Sequence, residues 1–169
     1  MLKTFLRLID KISVPQTAFA HCDIPCGIYD PHEAQMAAHT IVRMVNMINE
    51  LKASSADPDF EGRKKIISQI SRLTKVKEEH AEQVKHQVRI IWGDYFKPEH
   101  LEKYKGLGDL VFKILKQASK ARQEVNLEAA RQLLESVQKF AEIFWETKGR
   151  GTMRVKSGYP TEGEVVLPK

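Results

Sequence analysis

Apolar residues that recur every three or four positions dominate this chain and favour a helical fold. The first such stretch begins at Pro31, and its stripe is Ala34, Ala37, Ile41, Val45 and Ile48. A second runs over about 58–92, a third follows Gly108, and a fourth covers about 126–147. No segment shows sustained period-two alternation. Four amphipathic helices with short loops predict an all-α fold, an antiparallel up-down four-helix bundle over residues 32–147.

Composition and charge exclude several other classes of protein. The 169 residues suffice for one domain, and 42% hydrophobic with 29% charged residues is ordinary for a globular chain. No uncharged apolar run approaches the roughly 18 residues of a membrane span, so no membrane association is expected. The chain has a net charge of +5, and its basic and acidic residues interleave along the helical segments. The basic residues are not gathered into a patch with aromatic residues. No nucleic-acid partner is therefore expected.

The two ends of the chain differ from the helical middle. Residues 1–20 make a poor export signal, because charged side chains interrupt their apolar stretch. They end in Ala18-Phe19-Ala20, which looks like a cleavage site, so the segment is either a leader cut after Ala20 or a short helix that stays. We expect a cytoplasmic protein. Residues 148–169 hold four of the nine glycines and two prolines, and we expect a flexible C-terminal extension there.

Chemistry concentrates in the irregular segment 21–31, where both cysteines lie beside a histidine. Cleavage after Ala20 would free the α-amine of His21, which can ligate a metal when neutral. That amine, the amide and thiolate of Cys22, and the thiolate of Cys26 would form a planar N2S2 set with the imidazole in reach of an axial position. Planar coordination points to nickel or copper rather than zinc. The alternative is two inert thiols in a loop.

At these residues the sequence resembles the nickel-containing superoxide dismutases. The family pattern H-C-D-x-P-C-G-x-Y stands here as HCDIPCGIY over residues 21–29. Two further blocks follow in the family's order, WGDYFKP over 92–98 and IFWET over 143–147. Together with the first pattern, these blocks extend the resemblance over most of the chain after Ala20.

The resemblance implies a complete site and mechanism. A protease would remove the leader 1–20 by cutting between Ala20 and His21, leaving residues 21–31 as a nickel-binding hook. One nickel ion per subunit would be bound by His21, Cys22 and Cys26 and would alternate between +2 and +3. Superoxide would be converted to oxygen and hydrogen peroxide in a homohexamer of four-helix bundles.

Two further hook residues match family positions that shape the approach of superoxide, and each also has a purely structural interpretation. Tyr29 either gates the substrate or packs the hook onto the bundle. Asp23 either shapes the approach or caps the turn.

The chain departs from the family at the residues that orient the axial histidine. The family's carboxylate on the first helix falls at Ala37, and its arginine on the second helix falls at His80. Because a metal-bound histidine needs its other ring nitrogen held, we expect His80 to supply this support. Glu33 and His39 are weaker candidates, and a hydrogen-bonded core histidine is the structural alternative.

Two rival functions stay open at this point. One is a bundle that carries or senses nickel or copper without turnover. The other is a structural bundle with inert thiols. A superoxide-decay assay on nickel-loaded protein separates the first from an enzyme, and metal analysis of the purified protein separates the second.

Overall fold

The computed structural model describes residues 27–53 and 55–169. The elements within them are α1 (His32–Glu50), α2 (Phe60–Ile90), α3 (Pro98–Lys103), α4 (Leu107–Gln123), α5 (Leu127–Thr147), β1 (Thr152–Lys156) and β2 (Glu164–Pro168). Helix α2 continues directly into a π-helical turn, Ile91–Tyr95.

The four long helices form the bundle that the periodicity predicts. Helix α1 packs against α2 and α5, and α4 packs against the same two helices from the other side. The order around the bundle is therefore α1, α2, α4, α5, and the all-α fold is confirmed. Local capping marks the starts of α2 and α5, where Asp59 accepts from the Gly62 amide and Asn126 from the Ala129 amide. The short helix α3 lies between the second and third predicted helices. No described helix has the length and apolar character needed to cross a membrane.

Small side chains bring α1 close to its neighbours. Its first two turns bury Ala34, Ala37 and Ala38, and the first large aliphatic residue in its core stripe is Ile41. Larger groups from α5 fill the opposite side, with Phe140 and Phe144 fully buried. The core is thus thin in aliphatic volume where α1 begins and richer farther along.

Lys77 is a buried cation on the core stripe of α2. Its ammonium donates to the carbonyl oxygens of Ala121 and Arg122, at 2.8 and 2.5 Å, where α4 ends. Burial lowers the pKa of Lys77. The positive charge satisfies carbonyl groups that a helix terminus leaves without intrahelical partners. Lys77 therefore ties the middle of α2 to the C-terminal end of α4.

The prediction of a flexible extension over 148–169 was wrong. Strands β1 and β2 pair antiparallel, with Met153 opposite Leu167 and Val155 opposite Val165. Val165 and Val166 are buried, and the hairpin packs on α5. Polar and apolar residues alternate in β1 over only five residues, and β2 does not alternate, so the sequence carries no sustained period-two pattern here.

The glycines of this segment shape the hairpin. Gly158 has a φ of +71° in the connection between the strands, a conformation that glycine adopts without strain. Gly163 lies against the ring of His39, where an added Cβ would come within 2.7 Å of Cε1. These glycines, which in the sequence alone indicate flexibility, permit the turn at Gly158 and the close approach of Gly163 to α1.

Candidate metal centre

The predicted nickel ligands and their immediate neighbours lie outside the described residues. This applies to Ala20, His21, Cys22, Asp23 and Cys26. The description begins at Gly27, which has a φ of +83°, a conformation that glycine adopts without strain.

The side chains that suit a nickel ion, those of His21, Cys22 and Cys26, lie together in one short segment of the sequence. Over 27–53 and 55–169, no group of three His, Cys, Asp or Glu side chains could hold a metal ion. The two cysteines of the chain are Cys22 and Cys26, so any thiolate-bound metal depends on the residues just before Gly27. Thiolate, imidazole and deprotonated amide together suit nickel or copper.

Tyr29 is the predicted site residue whose surroundings the structure shows. It is half-buried and packs against the hydrophobic core. Its ring centroid lies 6.0 Å from that of Tyr95, at an interplanar angle of 53°. The packing interpretation of Tyr29 is therefore correct for its ring, while its gating role stays a prediction.

Tyr95 is held by the end of α5. The Thr147 hydroxyl donates to the Phe144 carbonyl at 2.6 Å, so its single proton is already engaged. The Tyr95 hydroxyl must therefore donate to Thr147 Oγ1, 2.8 Å away. The Tyr95 ring lies 4.7 Å from that of Phe144. The sequence blocks at 92–98 and 143–147 thus meet beside Tyr29.

A cation completes this corner of the bundle. Lys148 Nζ donates to the Tyr29 carbonyl oxygen at 3.3 Å. The same ammonium lies over three aromatic rings, 4.7 Å from the centroid of Phe144, 5.4 Å from Tyr95 and 5.6 Å from Trp145. Cation–π attraction orients the ammonium at such distances. Positive charge is therefore held where the hook joins the bundle.

The contact between α1 and α2 fixes their register. Gln87 donates a short hydrogen bond to the carboxylate of Glu33. Counting along antiparallel helices from this pair places Ala37 opposite Gln83, and His80 lies three residues farther, about 4.5 Å along the axis. Glu33 is thus committed to Gln87, and Ala37 is buried as its place on the stripe predicts.

His80 lies beside the buried stripe of α2, which runs through Lys77, Ala81 and Val84. The side chain is half-buried, and Nδ1 bonds the Val76 carbonyl at 2.8 Å. Because a carbonyl only accepts, Nδ1 carries the proton. This bond fixes the ring on its own helix. Its support of His21 stays a prediction.

His39 faces the hairpin. It is buried, its Nε2 donates to the Glu164 carbonyl at 3.0 Å, and its Nδ1 lies 2.8 Å from the Thr161 hydroxyl. Burial lowers the pKa of His39, and the bond to Glu164 opposes this only in part. With both ring nitrogens engaged by the hairpin, His39 does not support His21.

Sequence reasoning missed Tyr95 and Lys148. Tyr95 stands in the block over 92–98 that carries the resemblance, so its identity was visible but its proximity to Tyr29 was not. Lys148 is one of 27 basic residues, and nothing in its neighbours distinguishes it. Both meet Tyr29 only through the fold.

Comparison with known proteins agrees with these features. The family model for nickel-containing superoxide dismutase matches residues 16–148. The nickel superoxide dismutase of Streptomyces coelicolor is 37% identical over 142 residues, covering 83% of this chain and 98% of the relative. The enzyme of Streptomyces seoulensis gives the same values.

Solved structures match the bundle. A native nickel superoxide dismutase superposes with a TM-score of 0.62 at 37% identity, covering 76% of this chain and 99% of that chain. An apo structure gives a TM-score of 0.60 at 34% identity, covering 73% of this chain and 99% of that chain.

The fold, the donor set and these relatives define an oxidoreductase of the superoxide dismutase class. The chain belongs to the nickel-containing superoxide dismutase family, and its cofactor is nickel.

Proposed function

We propose that the chain disproportionates superoxide at a nickel ion held by its own N-terminal residues, after cleavage between Ala20 and His21. Two superoxide anions and two protons give one oxygen and one hydrogen peroxide. The observation that carries the proposal is the family match over 16–148, which includes both cysteines. When bound, nickel supplies one-electron oxidation and reduction between +2 and +3.

The ligand residues have distinct roles in this proposal. His21 provides its freed amine and its imidazole, Cys22 its amide nitrogen and thiolate, and Cys26 a second thiolate. Soft, electron-donating thiolates favour the higher oxidation state of the metal. Among solved relatives, one structure is described as having nickel ligation of the oxidised state and another as the state after partial X-ray-induced reduction. These descriptions of relatives support redox cycling here.

Proteolysis makes the amine available. While Ala20 is attached, the His21 nitrogen belongs to a peptide bond and is a poor neutral ligand. Cleavage converts it into an α-amine, a group whose ordinary pKa of about 8 lets it lose its proton at modest cost. The protease is thus an obligatory partner, and the uncut chain is its inactive precursor.

We assign the approach of the substrate to the residues around Tyr29. Superoxide is a small anion, so a fixed cation draws it in without a deep pocket. Lys148, beside the Tyr29 carbonyl, supplies such a charge. The resemblance gives Tyr29 and Asp23 roles in shaping this approach, and the Tyr29 hydroxyl can donate a hydrogen bond to an anion near the metal.

We also propose a homohexamer with one nickel ion per subunit, working in the cytoplasm. The resemblance supports the hexamer, and the poor export signal of residues 1–20 supports the location. Light scattering on the processed protein measures the assembly, and cell fractionation measures the location.

One measurement tests cleavage and nickel together. The protein is isolated from its native cell, and its intact mass and metal content are determined. A mass that starts at His21 with one nickel per chain is expected, together with rapid superoxide decay. A chain that retains residues 1–20 and lacks nickel, but dismutates superoxide, would overturn the proposal.

A further inference from the structure

We infer that the hairpin over 152–168 clamps the first two turns of α1 and thereby holds the hook that precedes them, with Gln35 as the positioning residue. The part that concerns nickel rests on the function proposed above. The mechanical part, the clamping of α1, stands on the described residues alone.

The start of α1 has little apolar surface with which to hold itself in place. Its core residues there are Ala34, Ala37 and Ala38, and Ile41 comes only in the third turn. Burial stabilises in proportion to apolar area, so three alanines contribute far less than aliphatic side chains of full size. The segment next to the hook needs support from another source.

Gln35 provides that support by pairing with the backbone of β2. Its Nε2 donates to the Val166 carbonyl at 3.1 Å, and its Oε1 accepts from the Val166 amide at 2.8 Å. Gln35 is 1% exposed, as is Val166. A buried pair of this kind is costly to break, because both backbone groups would lose their partners.

A second connection joins α1 to α5 through the same strand. The Glu164 carbonyl oxygen accepts from His39 Nε2 at 3.0 Å and from Gln138 Nε2 at 2.5 Å. One atom of the hairpin thus bridges two helices of the bundle. Arg154 of β1 adds a hydrogen bond to Gln138 and an ion pair with Glu142 at 2.7 Å. The hairpin is anchored on α5 and grips α1.

The hairpin lies outside the family match, which ends at residue 148. The native solved relative is covered over 99% of its chain by 76% of this one. The family model therefore accounts for the bundle without the hairpin, which supports the clamp as an addition in this chain. Its loss is expected to loosen the start of α1 without preventing the bundle from folding.

The test compares Gln35→Leu with Lys77→Met. Both substitutions remove a buried polar contact, and Lys77 makes its contacts with the C-terminal end of α4, not with the hairpin or the first two turns of α1. Thr161→Val, which removes only one partner of His39, is a milder variant in case Gln35→Leu fails to fold. Two quantities are measured: amide hydrogen exchange over residues 28–40 in the full-length chain, and the rate at which processed, nickel-loaded protein loses metal to a chelator.

Gln35→Leu is expected to exchange amides over 28–40 at least tenfold faster and to release nickel roughly tenfold faster, a typical effect of losing a group that orients metal ligands. Lys77→Met, despite a similar drop in Tm, should change neither rate. Equal exchange over 28–40 in both variants would overturn the clamp. If processed wild-type protein binds no nickel, the proposed function fails, and the exchange experiment still decides the clamp. Faster exchange with unchanged nickel release would overturn the link to the hook.

Discussion

Lys148 donates a hydrogen bond to the carbonyl oxygen of Tyr29, and this contact joins the end of α5 to the segment that precedes α1. The ammonium is held over the rings of Phe144, Tyr95 and Trp145. Its position is set by aromatic packing within the bundle. A cation fixed in this way can act on an anionic substrate at little conformational cost.

Removing this charge should slow substrate capture. Lys148→Gln is expected to lower kcat/KM for superoxide by roughly two- to fivefold at low salt, because the local attraction for the anion is reduced. Screening weakens the remaining field, so wild type and variant should converge as ionic strength rises. Pulse radiolysis over a range of salt concentrations measures both effects. Lys148→Arg should keep the salt dependence. Arg150→Gln, two residues farther along, is the matched control, and an equal effect there would remove Lys148 from the approach path.

The two thiolates should be indispensable. Cys22→Ser and Cys26→Ser are each expected to abolish turnover, because a hydroxyl oxygen is a harder and less electron-donating ligand that leaves nickel +3 out of reach. Helical content by circular dichroism should be unchanged, since both residues precede α1. Activity close to wild type in either variant would contradict the ligand assignment.

The buried imidazole of His39 should make stability depend on pH. Burial lowers its pKa in the folded protein below the ordinary value of 6.5. The unfolded chain then binds the proton more readily, so stability is full above about pH 6.5 and falls as the pH drops through and below that value. On going from about pH 7.5 to about pH 5.5, wild type should lose a few degrees more of Tm than His39→Gln, which keeps a donor for Glu164 but does not titrate. If Tm falls equally with pH in wild type and His39→Gln, protonation of His39 does not contribute to the pH dependence of stability.

His80 is expected to support the axial ring of His21. His80→Ala should then lower turnover per bound nickel by roughly ten- to a hundredfold while nickel stays bound. A residue that only bonds Val76 would instead lower the stability by about 1–3 kcal/mol and leave that rate unchanged. His86→Ala, at an exposed position on the same helix, is the control. Tm and activity per nickel, measured together, separate the two roles.

Local sequence patterns predicted the bundle and the donor set. The periodicity that defines α1, α2, α4 and α5 is complete within each helix, and the donor set of the hook is complete within six residues. The hairpin escaped because its stability comes from distant contacts. Gln35 and Val166 are 131 positions apart, and neither residue type signals the other.

The corner around Tyr29 was hidden for the same reason. Tyr95 and Thr147 are 52 positions apart, and Lys148 reaches Tyr29 across 119 positions. Sequence spacing shows which side chains share one helical face, but it does not show which ends of a bundle meet. The departures from the family at Ala37 and His80 were visible in the sequence. Their relative positions along the bundle axis became known only from the contact between Glu33 and Gln87.

The central claim is that cleavage before His21 creates the active site. The direct test loads nickel into full-length protein and into protein that begins at His21, then compares superoxide decay per bound nickel. The processed protein should dismutate superoxide, and the full-length chain should be inactive, because its His21 nitrogen remains a peptide amide. Equal rates in the two proteins would contradict the account.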